Sequence, residues 1–426
     1  MVQKTLFLFL LLCSLAAAQD DGLFERLKAL PDVVEVVAIP ADALFKAGFE
    51  LRIRQPLDHA QPNGKSFLQS VFVDHVDYGK PVLFETEGYA VRGGGRPREL
   101  TSILKSNQIV VEHRFFGRSA PDSLEWKYLT TQQAADDHHH INVLLKTLYK
   151  GKWISSGTSK GGQTTLFYRY YYPSDVDVSV PYVAPVNMSQ EDPRILTFLR
   201  TVGTPEVREK IRQFQISMLK REKEILPLMD TLAQKRQFTF SIGKAKAYEY
   251  CVLEYPCGFW QYGSLPNSIP PPDAPADTML NHLNRVSSLR YYADQGIKAF
   301  EPFQYQAYTE IGYYGYDITE FKGLLTAVTN PTNSILAPRN VELKFNPQTM
   351  FNVYSWLRDS GDNIIYIYGE TDLWSATAME LSGKTNAIKI VKKGGSHRTR
   401  IRDLPGEQQA TVYAALEEWL GFRFEH

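Results

Sequence analysis

The stretch WISSGTSKGG, residues 153–162, decides the fold. Its apolar start predicts a buried strand, and the residues after it predict a helix. Between strand and helix, Gly157 and Gly161 flank Ser159 in the pattern G-x-S-x-G. A sharp turn needs glycine at these positions because side chains would block the close approach of the backbone. The pattern therefore predicts a serine hydroxyl raised at the end of a strand, with the N–H of Lys160 beside it as an oxyanion donor.

Such a serine needs a base, and the base needs an acid that orients it. Asp372 follows the apolar run IIYIYG, and His397 follows the next strand-like run, KIVKK. Serine, acid and histidine thus come in the chain order that suits this turn. Glu370 competes with Asp372 for the role of the acid. His113 also follows a strand, but it lies upstream of the serine, which is the wrong order.

A second oxyanion donor is expected from the loop after an earlier strand. In LFETEGYAVRGGG we expect the N–H of Tyr89 to be this donor, with Gly88 as the alternative.

The glycines at 93–95 lack the Lys-Ser/Thr of a phosphate-binding loop and predict a wall of the site instead. The consecutive histidines at 138–140 diverge by about 100° per residue on a helix, so they predict no metal site.

The composition excludes several classes of protein. The 426 residues carry 47 basic and 47 acidic side chains and are 43% hydrophobic. This charge balance and composition argue against a nucleic-acid partner, a fibre, a coiled coil and an integral membrane protein.

Residues 1–18 combine one lysine, an apolar run and a terminal Ala16–Ala18, which predicts a cleaved export signal and a periplasmic or extracellular protein. A lipid anchor at Cys13 is the alternative.

The chain shows two patterns of predicted secondary structure. Strand-like and helix-like segments alternate over 19–194 and again over 346–426, which predicts an α/β core with a parallel sheet. Between them, 195–345 predicts a mostly helical cap inserted into the core. Within this cap, Glu206–Arg236 reads as one long helix and Phe321–Val328 as a short one.

Two cysteines, Cys251 and Cys257, remain after removal of the signal. An even pair at short spacing in an exported protein predicts a disulfide. Two buried thiols are the alternative, and the spacing does not suit a zinc site.

Several segments together resemble one family. They are GTSKGGQTTLFYRYYYP, EHRFFGRSAP, APVNMSQEDPR, FWQYG and YGETDLWS. They resemble the secreted bacterial tripeptidyl aminopeptidases, serine peptidases related to the prolyl aminopeptidases, over about 35–420. Two of them are also similar to the lysosomal prolyl carboxypeptidase and dipeptidyl peptidase group. The resemblance implies an α/β-hydrolase core sheet with a helical cap, and release of short peptides from free N-termini, often after proline. It also implies that Ser159 is the nucleophile, Asp372 the orienting acid and His397 the base. We expect no cofactor and no metal.

The cap offers candidates for binding a cationic N-terminus, which calls for an acidic group in the cleft. Glu254 is the first candidate and Glu87 the second, although either could be a solvated or ion-paired carboxylate. Trp260 is a candidate wall for a proline-sized pocket, with packing of the cap as its alternative role. We expect the partner to be a peptide with a free N-terminus.

Two other classes of function stay open. A secreted esterase or lipase, or an endopeptidase, would use the same triad on the same fold. A non-catalytic binding protein on this scaffold would usually have lost a triad residue, and here all three residue types are present in order.

Overall fold

A nine-stranded sheet runs through the computed structural model, which describes residues 22–425 of the chain. The predicted signal at 1–18, with Cys13, lies outside the described residues. The strands, numbered in chain order, are β1 Val33–Ile39, β2 Ala47–Pro56, β3 Ser66–His75, β4 Val82–Thr86, β5 Asn107–Val111, β6 Trp153–Thr158, β7 Val178–Tyr182, β8 Ile365–Gly369 and β9 Ile388–Lys392.

The order across the sheet is β1-β2-β3-β5-β4-β6-β7-β8-β9. The pairs from β1 to β3, and the pair β3–β5, are antiparallel. From β5 onward all neighbours are parallel, so the carboxyl ends of six strands meet at one edge. In such a sheet this edge carries the active site.

Helices cover both faces of this sheet and fill the insertion between β7 and β8. Their bounds are α1 Leu23–Lys28, α2 Glu99–Leu104, α3 Thr131–Lys146, α4 Lys160–Tyr171, α5 Pro193–Thr201, α6 Pro205–Lys220, α7 Glu222–Arg236, α8 Lys244–Gln261, α9 Ala276–Val286, α10 Asp294–Gln306, α11 Pro347–Ser360 and α12 Gly406–Leu420. The predicted α/β architecture is therefore confirmed.

Alternate residues of the buried strands pack against different helices. Phe84 of β4 lies in a cluster with α1 and α3, whereas Leu83, its neighbour, lies in a cluster with α2 and α12. This alternation follows from the two-residue period of a strand. It explains why the inner strands read as continuous apolar runs.

Helix α8 is the central helix of the insertion. Most of its side chains are buried in an apolar cluster shared with α6, α7 and α9. Pro256 lies inside this helix and has no N–H to donate to the carbonyl of Val252, four residues earlier. The side-chain amide of Gln215 donates to that carbonyl instead, at 2.9 Å. The helix thus continues to Gln261 despite its proline.

The predicted disulfide is wrong. Cys251 and Cys257 are both free and buried, and both lie on α8. Six residues of helix rise about 9 Å, which exceeds the roughly 7 Å limit between the Cα atoms of bridged cysteines. The alternative of two buried thiols is what the structure shows.

Two predicted helices also differ from the structure. Glu206–Arg236 is divided at Arg221 into α6 and α7. Phe321–Val328 forms turns rather than a helix. The carboxylate of Glu249 accepts hydrogen bonds from the backbone N–H groups of 326–328, so these groups are not available to a helical ladder.

A buried ion pair ties the segment after β5 to α3. The fully buried Arg114 donates from Nε and Nη2 to the two carboxylate oxygens of Asp137, at 2.7 and 2.8 Å. Its Nη1 donates to the carbonyls of Leu57 and Tyr128. Burial raises the pKa of Asp137, but the charge and hydrogen bonds of Arg114 outweigh it and leave this pKa below its usual value.

We expect Arg114→Met to lower the free energy of unfolding by about 3–5 kcal/mol, because it leaves the buried carboxylate of Asp137 without its guanidinium partner. The exposed Arg118, which pairs with Glu50, provides the control. Arg118→Met should cost less than about 1 kcal/mol. Chemical denaturation followed by circular dichroism measures both, and equal effects would contradict this role of Arg114.

Candidate active site

Ser159 occupies a strained turn between β6 and α4. Its φ of 60° and ψ of −123° lie outside the regions that side chains favour. Its N–H donates to the carbonyl of Tyr182 at 2.8 Å, which anchors the turn to β7. The side chain is partly exposed, whereas most of β6 is buried. The predicted presentation of the serine at the end of a strand is thus what the structure shows.

The glycines around this serine are sterically required. A Cβ on Gly157 would collide with the carbonyl of Gly161, and it would come within 2.6 Å of the Thr86 oxygen. A Cβ on Gly161 would lie 2.8 Å from the same Thr86 oxygen. The elbow therefore packs directly on the end of β4.

Asp372 and His397 meet at the same edge of the sheet. The turn after β8 carries Asp372, which is fully buried, and the loop after β9 carries His397. The Nδ1 of His397 and the Oδ2 of Asp372 are 2.8 Å apart. The other carboxylate oxygen accepts the N–H of Trp374 at 3.3 Å. This pairing holds the imidazole so that its Nε2 is left for the serine.

The cap fixes the backbone of the histidine. The N–H of His397 donates to the carbonyl of Gln261, the last residue of α8, at 2.8 Å. The ring of Tyr262 meets the imidazole edge to face, with centroids 6.2 Å apart. Within residues 22–425, Ser159 and His397 form no direct hydrogen bond, but both line one cavity. Contacts of this kind often tighten only when substrate binds.

This cavity has a volume of about 560 Å³. Its walls are mostly aromatic, with a few polar groups near the cap. The lining residues are Tyr89, Ser159, Glu254, Gly258, Gln261, Tyr262, Arg285, Val286, Ser287, Ser288, Tyr291, Tyr292, Phe300, Phe303, Tyr313, Tyr314, Trp374 and His397. A cavity of this size holds a short peptide segment.

Glu254 brings a carboxylate into this cavity. Its two oxygens accept hydrogen bonds from the hydroxyls of Tyr314 and Tyr316, at 2.6 and 2.7 Å. Burial raises the pKa of Glu254 to about 7, although these hydroxyl donors oppose the shift. No cation pairs with it among the described residues. It is therefore a carboxylate suited to a cationic ligand.

A row of hydroxyl groups positions Glu254. The amide of Gln304 donates to the hydroxyl of Tyr291 at 2.6 Å. That hydroxyl lies 3.4 Å from the hydroxyl of Tyr313, which donates to Tyr314 at 3.3 Å. Sequence reasoning missed these tyrosines. The run YYGY at 313–316 is a visible signal, but nothing in the sequence pairs it with Glu254.

The oxyanion donors proposed from the sequence lie beside each other. A Cβ on Gly88 would come within 2.6–2.7 Å of the Gly161 nitrogen and of Lys160, so the loop after β4 touches the elbow. The N–H of Lys160 opens α4 and has no helical partner. The N–H of Tyr89 likewise donates no hydrogen bond among the described residues. Both groups are thus available to an oxyanion.

Two other candidates lie elsewhere. Glu87 pairs with Arg98 at 2.6 Å and does not line the cavity. Trp260 lies against Gly203 in a separate cavity of about 160 Å³ inside the cap. The structure therefore leaves Glu254 as the candidate anchor and gives Trp260 the packing role that was its alternative.

The other histidines do not reach the serine. His113 is buried, and its Nδ1 lies 2.8 Å from the Arg114 carbonyl. Burial, and then the charge of Lys160, hold the pKa of His113 well below its usual value. His139 and His140 contact separate partners, Asp175 and Gln55. The described residues include no cluster of three or more potential metal ligands.

The sheet, the strained serine and the buried Asp–His pair define a serine hydrolase of the α/β-hydrolase class. A family model described as PS-10 peptidase S37 matches residues 22–424, and the chain belongs to this family. The prolyl tri/tetrapeptidyl aminopeptidase of Streptomyces mobaraensis is 33% identical over 379 residues, which are 86% of this chain and 79% of that protein. The predicted family and the predicted serine aminopeptidase class are thus confirmed.

Two further similarities are more limited. A prolyl carboxy peptidase like protein of Caenorhabditis elegans is 33% identical over 132 residues, 27% of this chain and 26% of that protein. The crystal structure of a proline iminopeptidase from Mycobacterium smegmatis aligns with a TM-score of 0.43 at 13% identity. The alignment covers 87% of this chain and 98% of the iminopeptidase chain. Residues 22–425 contain no helix with the length and apolar character needed to cross a membrane.

We expect Ser159→Ala to abolish labelling by a fluorophosphonate and peptide turnover without loss of stability, because the hydroxyl is partly exposed at a turn. His397→Ala should lower kcat by several orders of magnitude. His113→Ala is the matched control and should lower it far less. Active-site labelling, steady-state kinetics and melting temperature measure these effects. A larger loss of kcat in His113→Ala than in His397→Ala would contradict the assignment of the base.

Proposed function

We propose that this protein is an exported serine exopeptidase that releases short peptides, chiefly tripeptides, from free N-termini with a preference for proline before the scissile bond. The observation that carries the proposal is Glu254, a carboxylate without a cationic partner among the described residues, in the cavity that also contains Ser159 and His397. An α-ammonium group is the cation that a peptide supplies.

The length of α8 supports the release of three residues. Glu254 and Gln261 lie on this helix, and the carbonyl of Gln261 holds the backbone of His397. Seven residues of helix rise about 10 Å. Three residues of extended peptide span about 10 Å as well. An amine at Glu254 thus puts the third peptide bond near the triad.

The reaction follows from the site. His397 takes the proton of the Ser159 hydroxyl as its oxygen attacks the scissile carbonyl, and Asp372 stabilises the imidazolium. The N–H groups of Lys160 and Tyr89 receive the negative oxygen. The imidazolium then protonates the leaving amine, which departs and leaves an acyl-enzyme. Water, activated by the same imidazole, releases the peptide and restores the serine.

A proline preference is supported by the aromatic wall next to the serine. The ring of Tyr89 meets those of Phe300 and Phe303 edge to face, with centroids 5.7 and 5.6 Å apart. Tyr313 continues this wall from Phe303 to Trp374. Rigid aromatic rings suit the compact, apolar pyrrolidine ring. The name of the Streptomyces relative points the same way.

Export is proposed from the sequence. Residues 1–18 have the charged start, apolar run and small-residue end of a cleaved signal. A protein so exported meets peptides outside the cytoplasm.

We expect an acetylated N-terminus to lower kcat/KM by about 30- to 1000-fold, because acetylation removes the cation and leaves the carboxylate unpaired. Glu254→Gln should cause much of this loss with the free peptide and little further loss with the acetylated one. Glu87→Gln is the matched control, since its carboxylate pairs with Arg98. Steady-state kinetics of the wild type and the variants, measured on one peptide with a free and with an acetylated N-terminus, gives the values for this double-mutant cycle.

The pH dependence of the same comparison isolates Glu254. Because its pKa is raised to about 7, the carboxylate that attracts the amine is lost as pH falls through this value. The ratio of kcat/KM for free over acetylated peptide should therefore shrink between about pH 7.5 and pH 5. Both substrates react at the same triad, so effects of pH on the chemical step cancel in the ratio. Equal cleavage of both forms at all pH values would favour an endopeptidase or an esterase, and a loss in Glu87→Gln would move the anchor there.

A further inference from the structure

Lys160 carries a buried ammonium group directly after the nucleophile. Its side chain is only 3% exposed. The Nζ atom lies 5.7 Å from the ring centroid of Tyr89 and 5.3 Å from that of Phe116. Within residues 22–425 it forms no ion pair. The carboxylate of Glu310 acts on it electrostatically from beyond ion-pair distance, and this carboxylate accepts hydrogen bonds from the N–H and hydroxyl of Thr131.

A buried ammonium without a carboxylate partner destabilises a protein unless other groups stabilise it. Here the two aromatic faces do so, as in cation–π contacts. Burial also lowers the pKa of Lys160 to about 7. A methionine of similar length would fill the same space without the free-energy cost of burying an ammonium group. We therefore expect the charge itself to have a function.

The ammonium is in contact with the oxyanion loop. The ring of Tyr89 meets that of Phe116 edge to face at 5.6 Å, and the ammonium lies against both. The Tyr89 carbonyl accepts the N–H of His113 at 3.3 Å. Gly88 touches the backbone of Lys160. One side chain thus links the helix that starts at the nucleophile to the loop with the second oxyanion donor.

We propose that the Lys160 ammonium is a positioning group, which holds the Tyr89 ring against Phe116 and so keeps the Tyr89 N–H directed at the oxyanion, and which does this only while it is protonated. The proposal rests on the proposed acyl transfer at Ser159. It does not depend on Glu254 or on the length of the released peptide.

The other titratable groups around Lys160 either change charge in a different pH range or can be removed by substitution. His113 and His138 have pKa values lowered by burial, so they are neutral above pH 7. Burial raises the pKa of the Tyr89 hydroxyl well above its usual value. Burial also raises the pKa of Glu310, and Glu310→Gln removes this group from the profile.

The experiment compares Lys160→Met, Lys160→Arg and the wild-type protein on a p-nitrophenyl ester, which has no amine to titrate. We expect Lys160→Met to lower kcat by about 10- to 100-fold, which is less than the loss of an oxyanion donor, with KM changed less than about threefold. Lys160→Arg should recover part of kcat because arginine keeps the cation. Lys80→Met, at an exposed lysine before β4, is the control for a general effect of lost charge.

The pH profile separates positioning from mere packing. As pH rises through the pKa of Lys160, kcat of the wild type should decline, and so should that of Glu310→Gln. Lys160→Arg should lack this alkaline decline, since arginine stays protonated. Melting temperatures and the rate of fluorophosphonate labelling complete the set.

A Lys160→Met variant with kcat within threefold of wild type, or an alkaline decline that persists in Lys160→Arg, would overturn the proposal. If the Lys160→Arg variant does not fold, the Lys160→Met variant alone tests the proposal. Its kcat should be low and should show no decline as pH rises. A wild type that is not labelled at Ser159 would instead contradict the proposed function. The two failures are therefore distinguishable.

Discussion

The hydrogen bond from the His397 N–H to the Gln261 carbonyl joins the proposed catalytic base to the cap. Because Gln261 ends the helix that also carries Glu254, one rigid element connects the base to the candidate amine anchor. The distance between chemistry and anchor is thus set by helical rise rather than by loop conformation. The Gln215 amide matters here, since it accommodates Pro256 and keeps the helix continuous.

Two buried charges near the serine are without an ion pair in the described part of the chain, and they serve different ends. Glu254 is held by tyrosine hydroxyls, and in the proposed function it binds a cation of the substrate. Lys160 is held by aromatic faces and is complete without substrate. Burial moves the pKa of both groups toward 7, upward for the acid and downward for the amine. The site therefore changes its charge state close to neutral pH.

Local chemistry explains which features the sequence could predict. Ser159, Asp372 and His397 are each marked by a strand end, and the serine also by glycines that its turn requires. Features that depend on distant partners were missed. Glu249 prevents a helix at Phe321–Val328 from 77–79 positions away in the chain. The disulfide was predicted from an even pair of cysteines in an exported protein, but both cysteines lie on α8, a helix that continues through Pro256 with the Gln215 amide bound to the Val252 carbonyl.

The most direct test of the account is the crystal structure of the enzyme bound to a tripeptidyl phosphonate that ends in proline and has a free N-terminus. The phosphorus reacts with the Ser159 oxygen and fixes the peptide in the cavity. The account predicts that the α-ammonium nitrogen lies within hydrogen-bonding distance, about 3 Å, of the Glu254 carboxylate. An ammonium group exposed to solvent, or bound at Glu87, would contradict it.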